Sequence, residues 1–140
     1  MTVVYVASAS STGSGRDGHV ETDDGKISVD LAFPKALGGT GAGSNPEQLV
    51  AMGYAACFAS ALGVVARGQK IALAEPVVTC QVSLHKDDDG FSLSFEIVAD
   101  LPDLPRPQAE RLVAEAHAIC PYSKAFAQGA PAQVRAGLRA

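Results

Sequence analysis

Eighteen consecutive residues without a charged side chain, Leu49 to Ala66, occupy the middle of the chain and enclose one cysteine, Cys57. The four residues before them carry a helix start. Asn45 is a good N-cap, because its side-chain oxygen accepts a hydrogen bond from an unpaired N–H of the first turn. Pro46 falls at N1, where a missing N–H costs nothing. Gln48 falls at N3, where it reaches back to the cap in a variant of the capping box. The result is a helix that is apolar on every face and needs cover on both sides. A membrane span needs ~20 predominantly apolar residues with aromatic anchors at its ends. This segment is mostly Ala, Gly, Ser and Val, with nothing basic before it and Arg67 after it. A buried core helix is expected, its small residues suiting close packing, including packing on a second copy of itself.

The rest of the composition sets bounds. At 140 residues and 47% apolar, the chain has the size and content of a single domain, 1–140, with its own core. A net charge of −4 without a basic patch speaks against nucleic acid as a partner. The opening MTVVYVASAS has no basic stretch followed by an apolar one, so no signal peptide and no membrane partner are expected. Three cysteines without close spacing do not form a secreted disulfide framework, and a cytoplasmic protein with reduced thiols is the expectation.

Along the chain, Val3, Val4 and Val6 predict a first strand. A Gly/Ser-rich loop follows. Its GxGxxG (Gly13, Gly15, Gly18) opens no helix and is not read as a nucleotide site; its notable residue is Arg16, flanked by glycine turns. Lys26 to Phe33 alternates, with Ile27, Val29, Leu31 and Phe33 on one face of a half-buried strand that Pro34 ends. LGGTGAGSN is a loop into the central helix. After that helix, Val78, Cys80, Val82 and Leu84 share one face of a strand, KDDDG turns the chain, and Phe91, Leu93, Phe95 and Ile97 alternate on the return: a β-hairpin. A proline-rich connector leads to a helix carrying Ala109, Leu112, Val113 and Ala116 on one face and Glu110, Arg111 and Glu115 on the other. Pro121 breaks it, leaving Cys120 to cap a short helix from Pro121 to Gln128. Gln133 to Leu138 is read as a closing strand.

The three cysteines differ in setting. Cys80, in phase with three aliphatic residues, behaves as a small hydrophobe. Cys57 is either an inert buried thiol, its pKa raised by burial, or a thiolate stabilised by a nearby cation. It lies about three turns from its helix's N-terminus, beyond the reach of that dipole. Arg16 is the first candidate cation, with Lys124 and Arg67 behind it. At Cys120 the N–H groups of the following helix favour a thiolate. His117, three residues earlier, leaves a metal or Cys–His reading open, although a structural zinc site needs four ligands. His19 and His85 read as surface residues.

Taken together, NPEQLVAMGYAACF, HAICPYSKA and the early GRDG resemble the organic hydroperoxide resistance (Ohr) proteins of the OsmC/Ohr superfamily, over about Tyr5 to Val134. The pattern departs after Lys124, where KAFAQGAPAQV stands. The resemblance implies an α+β fold, an antiparallel sheet packed on a long buried central helix, as an intertwined homodimer. It also implies a thiol peroxidase without metal, haem or other cofactor. Cys57 matches the peroxidatic cysteine, Cys120 the resolving one, Arg16 the arginine that stabilises the thiolate, and Glu47 the glutamate that holds the arginine. The implied partners are an organic hydroperoxide and a dithiol reductant, dihydrolipoamide on a lipoylated protein. Leu49, Met52, Tyr54 and Phe58 are the expected apolar lining of the substrate pocket, suiting an organic peroxide over hydrogen peroxide.

Spacing adds one constraint. Glu47 and Cys57, ten positions apart on a straight helix, are separated by ~15 Å, too far for one Arg16 to contact both. Either the helix breaks near Gly53 or the glutamate comes across a dimer interface. Rival functions are an OsmC-type peroxidase of broader specificity, a non-catalytic dimeric module binding an apolar ligand, and a Cys–His hydrolase or acyl carrier dependent on His117.

Overall fold

The computed structural model describes residues 1–137 of the chain. Three short antiparallel strands come first: β1 (Ala9–Thr12), β2 (His19–Thr22) and β3 (Ser28–Asp30), in the order β1-β2-β3. The long helix α1 (Pro46–Gly68) follows, then a hairpin of β4 (Val77–Asp87) and β5 (Gly90–Asp100), and two helices, α2 (Arg106–Ile119) and α3 (Pro121–Gln128). The chain combines helices with two separate antiparallel sheets.

The start of α1 is as the sequence predicts, with the Gln48 N–H donating to Asn45 Oδ1 at 2.9 Å. The reciprocal half of a capping box is absent. Gln48 Oε1 instead accepts from the Ser44 hydroxyl at 3.0 Å, tying the incoming loop to the first turn. The helix runs unbroken through Gly53. That glycine serves packing rather than a kink: a Cβ there would lie 2.8 Å from the Tyr122 hydroxyl and 3.2 Å from its ring.

Tyr54, Phe58, Ala61, Leu62 and Ala66 bury one face of α1 in a core shared with Leu101, Leu112, Ala116 and Cys120. Cover on both sides, expected of an all-apolar helix, is not supplied by the described residues. Met52, Ala56, Ala59, Ser60 and Val64 lie exposed along the opposite face. By length and composition α1 is long and apolar enough to cross a membrane, but its other face is part of the core against β4, β5 and α2.

The hairpin follows its alternation. Val78, Cys80, Val82 and Leu84 are half-buried between exposed neighbours, and β4 pairs β5 from Val77↔Asp100 to Asp87↔Gly90. On β5, Phe95 and Ile97 are covered whereas Phe91 and Leu93, beyond the reach of the core, are exposed. On α2, Leu112 and Ala116 are buried and Glu110, Arg111 and Glu115 face outward, as the periodicity requires. Cys120 ends α2 and begins α3.

Three expectations are corrected. Residues 3–6 form no strand: Val3, Val4, Tyr5 and Val6 are exposed, with no partner strand among the described residues. The expected strand from Lys26 to Phe33 shortens to Ser28–Asp30, because the backbone beyond it leaves β2 for other partners. Ala32 N–H donates to the Ser44 carbonyl, and Phe33 N–H to Asp17 Oδ1. Residues 133–137 are irregular, and Leu138, the end of the expected closing strand, lies outside the described residues.

Candidate active site

Arg16 stands in the middle of a one-turn 3-10 helix, Gly15–Asp17, that links β1 to β2. Gly13 and Gly15 take positive φ (79° and 63°), a conformation glycine adopts without steric cost. Gly18 is needed for a different reason, since a Cβ there would lie 2.2 Å from the Thr12 carbonyl oxygen. Two contacts then fix this turn relative to α1. Asp17 holds the Phe33 N–H at 3.1 Å, and Ser44, one residue before the N-cap, exchanges backbone hydrogen bonds with Asp30 and Ala32.

The first turn of α1 is thereby set beside Arg16. Its Nη1 and Nη2 donate to Glu47 Oε2 and Oε1 at 2.8 and 2.5 Å, a two-pronged ion pair within one chain. The pair is only partly exposed. Hydrogen bonding to Arg16 holds the Glu47 carboxyl below its ordinary range, and Glu47 raises the Arg16 guanidinium in return. Around them the surface is apolar and concave. A cavity of about 440 Å³ is lined by Arg16, Phe33, Leu37, Leu84 and Phe91, and another of about 270 Å³ by Arg16, Glu47, Val50, Leu84 and Leu93 among others.

The second centre lies further along α1. Cys57 is half-buried and packs against the core cluster that contains the fully buried Cys120. Burial pushes the Cys57 thiol above its ordinary value of 9.0, the backbone N–H of Tyr122 pulls it down, and Cys120 pushes it up again. None of these influences is a cation. The Cys120 side chain makes no capping bond to the first turn of α3. Cys80, on β4 and packed against the core, is raised by burial alone.

The sequence-predicted residues thus fall into two groups. Arg16 meets Glu47, and Cys57 meets Cys120, but the two pairs are ten α1 residues apart. Of the four pocket candidates, Tyr54 and Phe58 belong to the core, Leu49 is half-buried and Met52 is exposed. None of the four lines the cavities at Arg16, whose other walls come from Phe33 and Leu37 after β3, from the first turns of α1 and from the hairpin. Lys124 and Arg67 are exposed. His117 is exposed while Cys120 is fully buried, so the Cys–His arrangement does not form. Among the described residues no three His, Cys, Asp or Glu side chains converge as metal ligands. One contact was not foreseen: Tyr54 Oη and Ser123 Oγ, both buried, are hydrogen bonded at 2.8 Å. The signal for it was present, since Ser123 follows Cys120 by three positions as Cys57 follows Tyr54.

Comparisons with known proteins bear on the family and the fold. The family model for OsmC-like proteins matches residues 39–135. The organic hydroperoxide resistance protein OhrB of Bacillus subtilis is 47% identical over 113 residues, covering 79% of this chain and 82% of that one. The crystal structure of an organic hydroperoxide resistance protein OsmC from Legionella pneumophila superposes with a TM-score of 0.86 at 47% identity, covering 91% of this chain and 93% of that one. The crystal structure of Bacillus subtilis OhrB gives 0.81 at 43% identity, covering 90% and 93%.

Proposed function

The chain belongs to the organic hydroperoxide resistance branch of the OsmC-like family, and from that premise we propose that it reduces organic hydroperoxides with two cysteines. The Cys57 thiolate attacks the distal oxygen of ROOH, the O–O bond breaks, and the alkoxide leaves as ROH after taking a proton. Cys57 is left as a sulfenic acid. The Cys120 sulfur then attacks the Cys57 sulfur, the S–O bond breaks, and water leaves as the Cys57–Cys120 disulfide forms. An external dithiol restores both thiols by two exchanges and becomes a disulfide itself. The reductant is of the dihydrolipoamide type, and the compartment is the reducing cytoplasm.

The observation that carries this reading is the placement of Cys120 beside Cys57. A fully buried thiol in the core cluster against which a half-buried one packs, and which pushes that second thiol up, is an arrangement for oxidation and resolution. An inert core cysteine needs no such neighbour.

The active unit in this reading is a homodimer. Arg16 is engaged with Glu47, and no cation among the described residues shifts Cys57, ~15 Å along the unbroken helix. The helix break considered from the sequence does not occur, and Glu47 is held by the Arg16 of its own chain. Arginine and glutamate therefore act together on Cys57 of a second copy, where Arg16 favours the thiolate and the charge developing on the peroxide oxygens. The apolar cavities at Arg16 receive the alkyl part of the substrate. Support for the dimer comes from surface that one chain leaves bare: the Met52, Ala56, Ala59 and Val64 stripe on α1, and Val3 to Val6 with no strand to pair.

The decisive experiment maps the thiols of reduced protein after one equivalent of an alkyl hydroperoxide. A Cys57–Cys120 disulfide with Cys80 still alkylatable is expected. Thiols unreacted throughout would overturn the reading and leave a binding module.

A further inference from the structure

Tyr54 and Ser123 are nearly inaccessible, at 4% and 1%, and bonded to one another at 2.8 Å. Each lies one helical turn from a cysteine. On α1 the pair is Tyr54 and Cys57; on the α2–α3 side it is Cys120 and Ser123. Residues three apart occupy one face of a helix, so the hydroxyl contact lies one turn from both cysteines, between the two elements that carry them.

The helix α3 needs such a contact. It has eight residues, too few to be stable by itself, and no side-chain capping bond at its start. Its seat on α1 and β5 comes from the Tyr54–Ser123 hydrogen bond and from aromatic contacts of Tyr54 and Phe95 with Tyr122 and Phe126. The rings are tolerant of sliding, whereas a hydrogen bond between two buried hydroxyls fixes one register. Disulfide formation is unforgiving of register, since the two Cα atoms must come within about 4.4–6.8 Å.

We propose that Tyr54 and Ser123 are positioning residues for the resolving step: their hydrogen bond locks the first turn of α3 onto α1 and keeps Cys120 facing the Cys57 sulfenic acid. This rests on the two-cysteine reading above. Neither residue touches the peroxide; each acts through Cys120.

The test uses full-length reduced protein and one equivalent of cumene hydroperoxide. Samples are quenched at intervals with dimedone, which traps sulfenic acid, and read by intact mass. Wild type is compared with Tyr54→Phe, Ser123→Ala and the double variant. In each single variant the sulfenic acid is expected to persist at least fivefold longer than in wild type. The double variant separates positioning from stability. Removing both partners leaves no unpaired buried hydroxyl, so its thermal stability recovers toward wild type, while its sulfenic acid lifetime stays as long as in the singles. Wild-type lifetimes in all three variants overturn the inference. So does a lifetime that recovers in step with stability in the double variant. A wild-type protein that yields neither sulfenic acid nor disulfide overturns the two-cysteine reading itself, an outcome visible before any variant is compared.

Discussion

Arg16 grips Glu47 with both arms of its guanidinium, at 2.8 and 2.5 Å, inside one chain. The pair joins the β1–β2 turn to the first turn of α1. It also puts a carboxylate at the positive end of a 23-residue helix, where the macrodipole favours it.

The pair makes stability depend on pH in a defined direction. The Glu47 carboxyl, held below its ordinary 4.5 chiefly by the Arg16 hydrogen bond, contributes stability that is present above 4.5 and lost as pH falls through the lowered folded value. Glu47→Gln removes that contribution, about 1 kcal/mol near neutral pH for a pair that solvent still reaches. Urea unfolding of both proteins across pH is expected to show the difference shrinking below pH 4.5. A constant difference down to the most acid pH at which both stay folded would contradict it.

Gly18 should tolerate nothing larger. A Cβ would meet the Thr12 carbonyl oxygen at 2.2 Å and the Ser14 nitrogen at 2.9 Å, and both are backbone atoms that cannot swing aside. Gly18→Ala is expected to cost about 1–3 kcal/mol, the usual range for forced overpacking. The damage is local to the turn that carries Arg16, so peroxide turnover should fall more than stability suggests. Parallel measurements of the unfolding midpoint and of alkyl hydroperoxide consumption check this. Wild-type values in both would show that the turn relaxes freely.

How far the sequence foretold this structure depends on where each residue finds its partners. Asn45, Pro46 and the hairpin alternation were legible because their partners are a few residues away or directly across a short turn. The break between Pro121 and Cys120 was legible because proline acts on its own neighbour. Val3 to Val6 misled, since clustered valines favour a strand without saying what it would pair with. Phe33, Leu37, Leu84 and Phe91 around Arg16 were missed as a group, since they come from four separate segments. The Arg16–Glu47 pair was reached through the family resemblance, 31 residues separating the two positions. Spacing argued against one Arg16 serving both Glu47 and Cys57, but neither remedy it offered is seen: α1 does not break at Gly53, and Glu47 is held by Arg16 of its own chain.

A charge placed on the bare stripe of α1 tests what covers it. Ala59 is exposed in the single chain, so Ala59→Lys does not disturb the core described above. In a dimer packed through this face it buries an ammonium group at an apolar interface. Light scattering after size exclusion is expected to give the mass of one chain for the variant and two for wild type. Alkylation of Cys57 at neutral pH should slow at least tenfold in the variant, because burial holds that thiol above 9.0 when no cation faces it. A dimeric variant with undiminished Cys57 reactivity would place the interface elsewhere.

Mixed dimers decide which chain each arginine serves. One chain carries Arg16→Ala and the other Cys57→Ser, each inactive as a homodimer. If Arg16 acts on Cys57 of the other copy, the mixed dimer holds one complete site, an intact cysteine facing an intact arginine, and one site lacking both. About half of the wild-type activity per dimer should return. If Arg16 acts on Cys57 of its own chain, both sites in the mixed dimer are defective and nothing returns. Co-refolding differently tagged chains, isolating the doubly tagged species and following cumene hydroperoxide consumption gives the answer. The distance along α1 favours recovery: with Glu47 and Cys57 separated by ~15 Å on one straight helix, the Arg16 that holds Glu47 reaches a cysteine by meeting the one that a second α1, packed on the bare stripe, brings alongside.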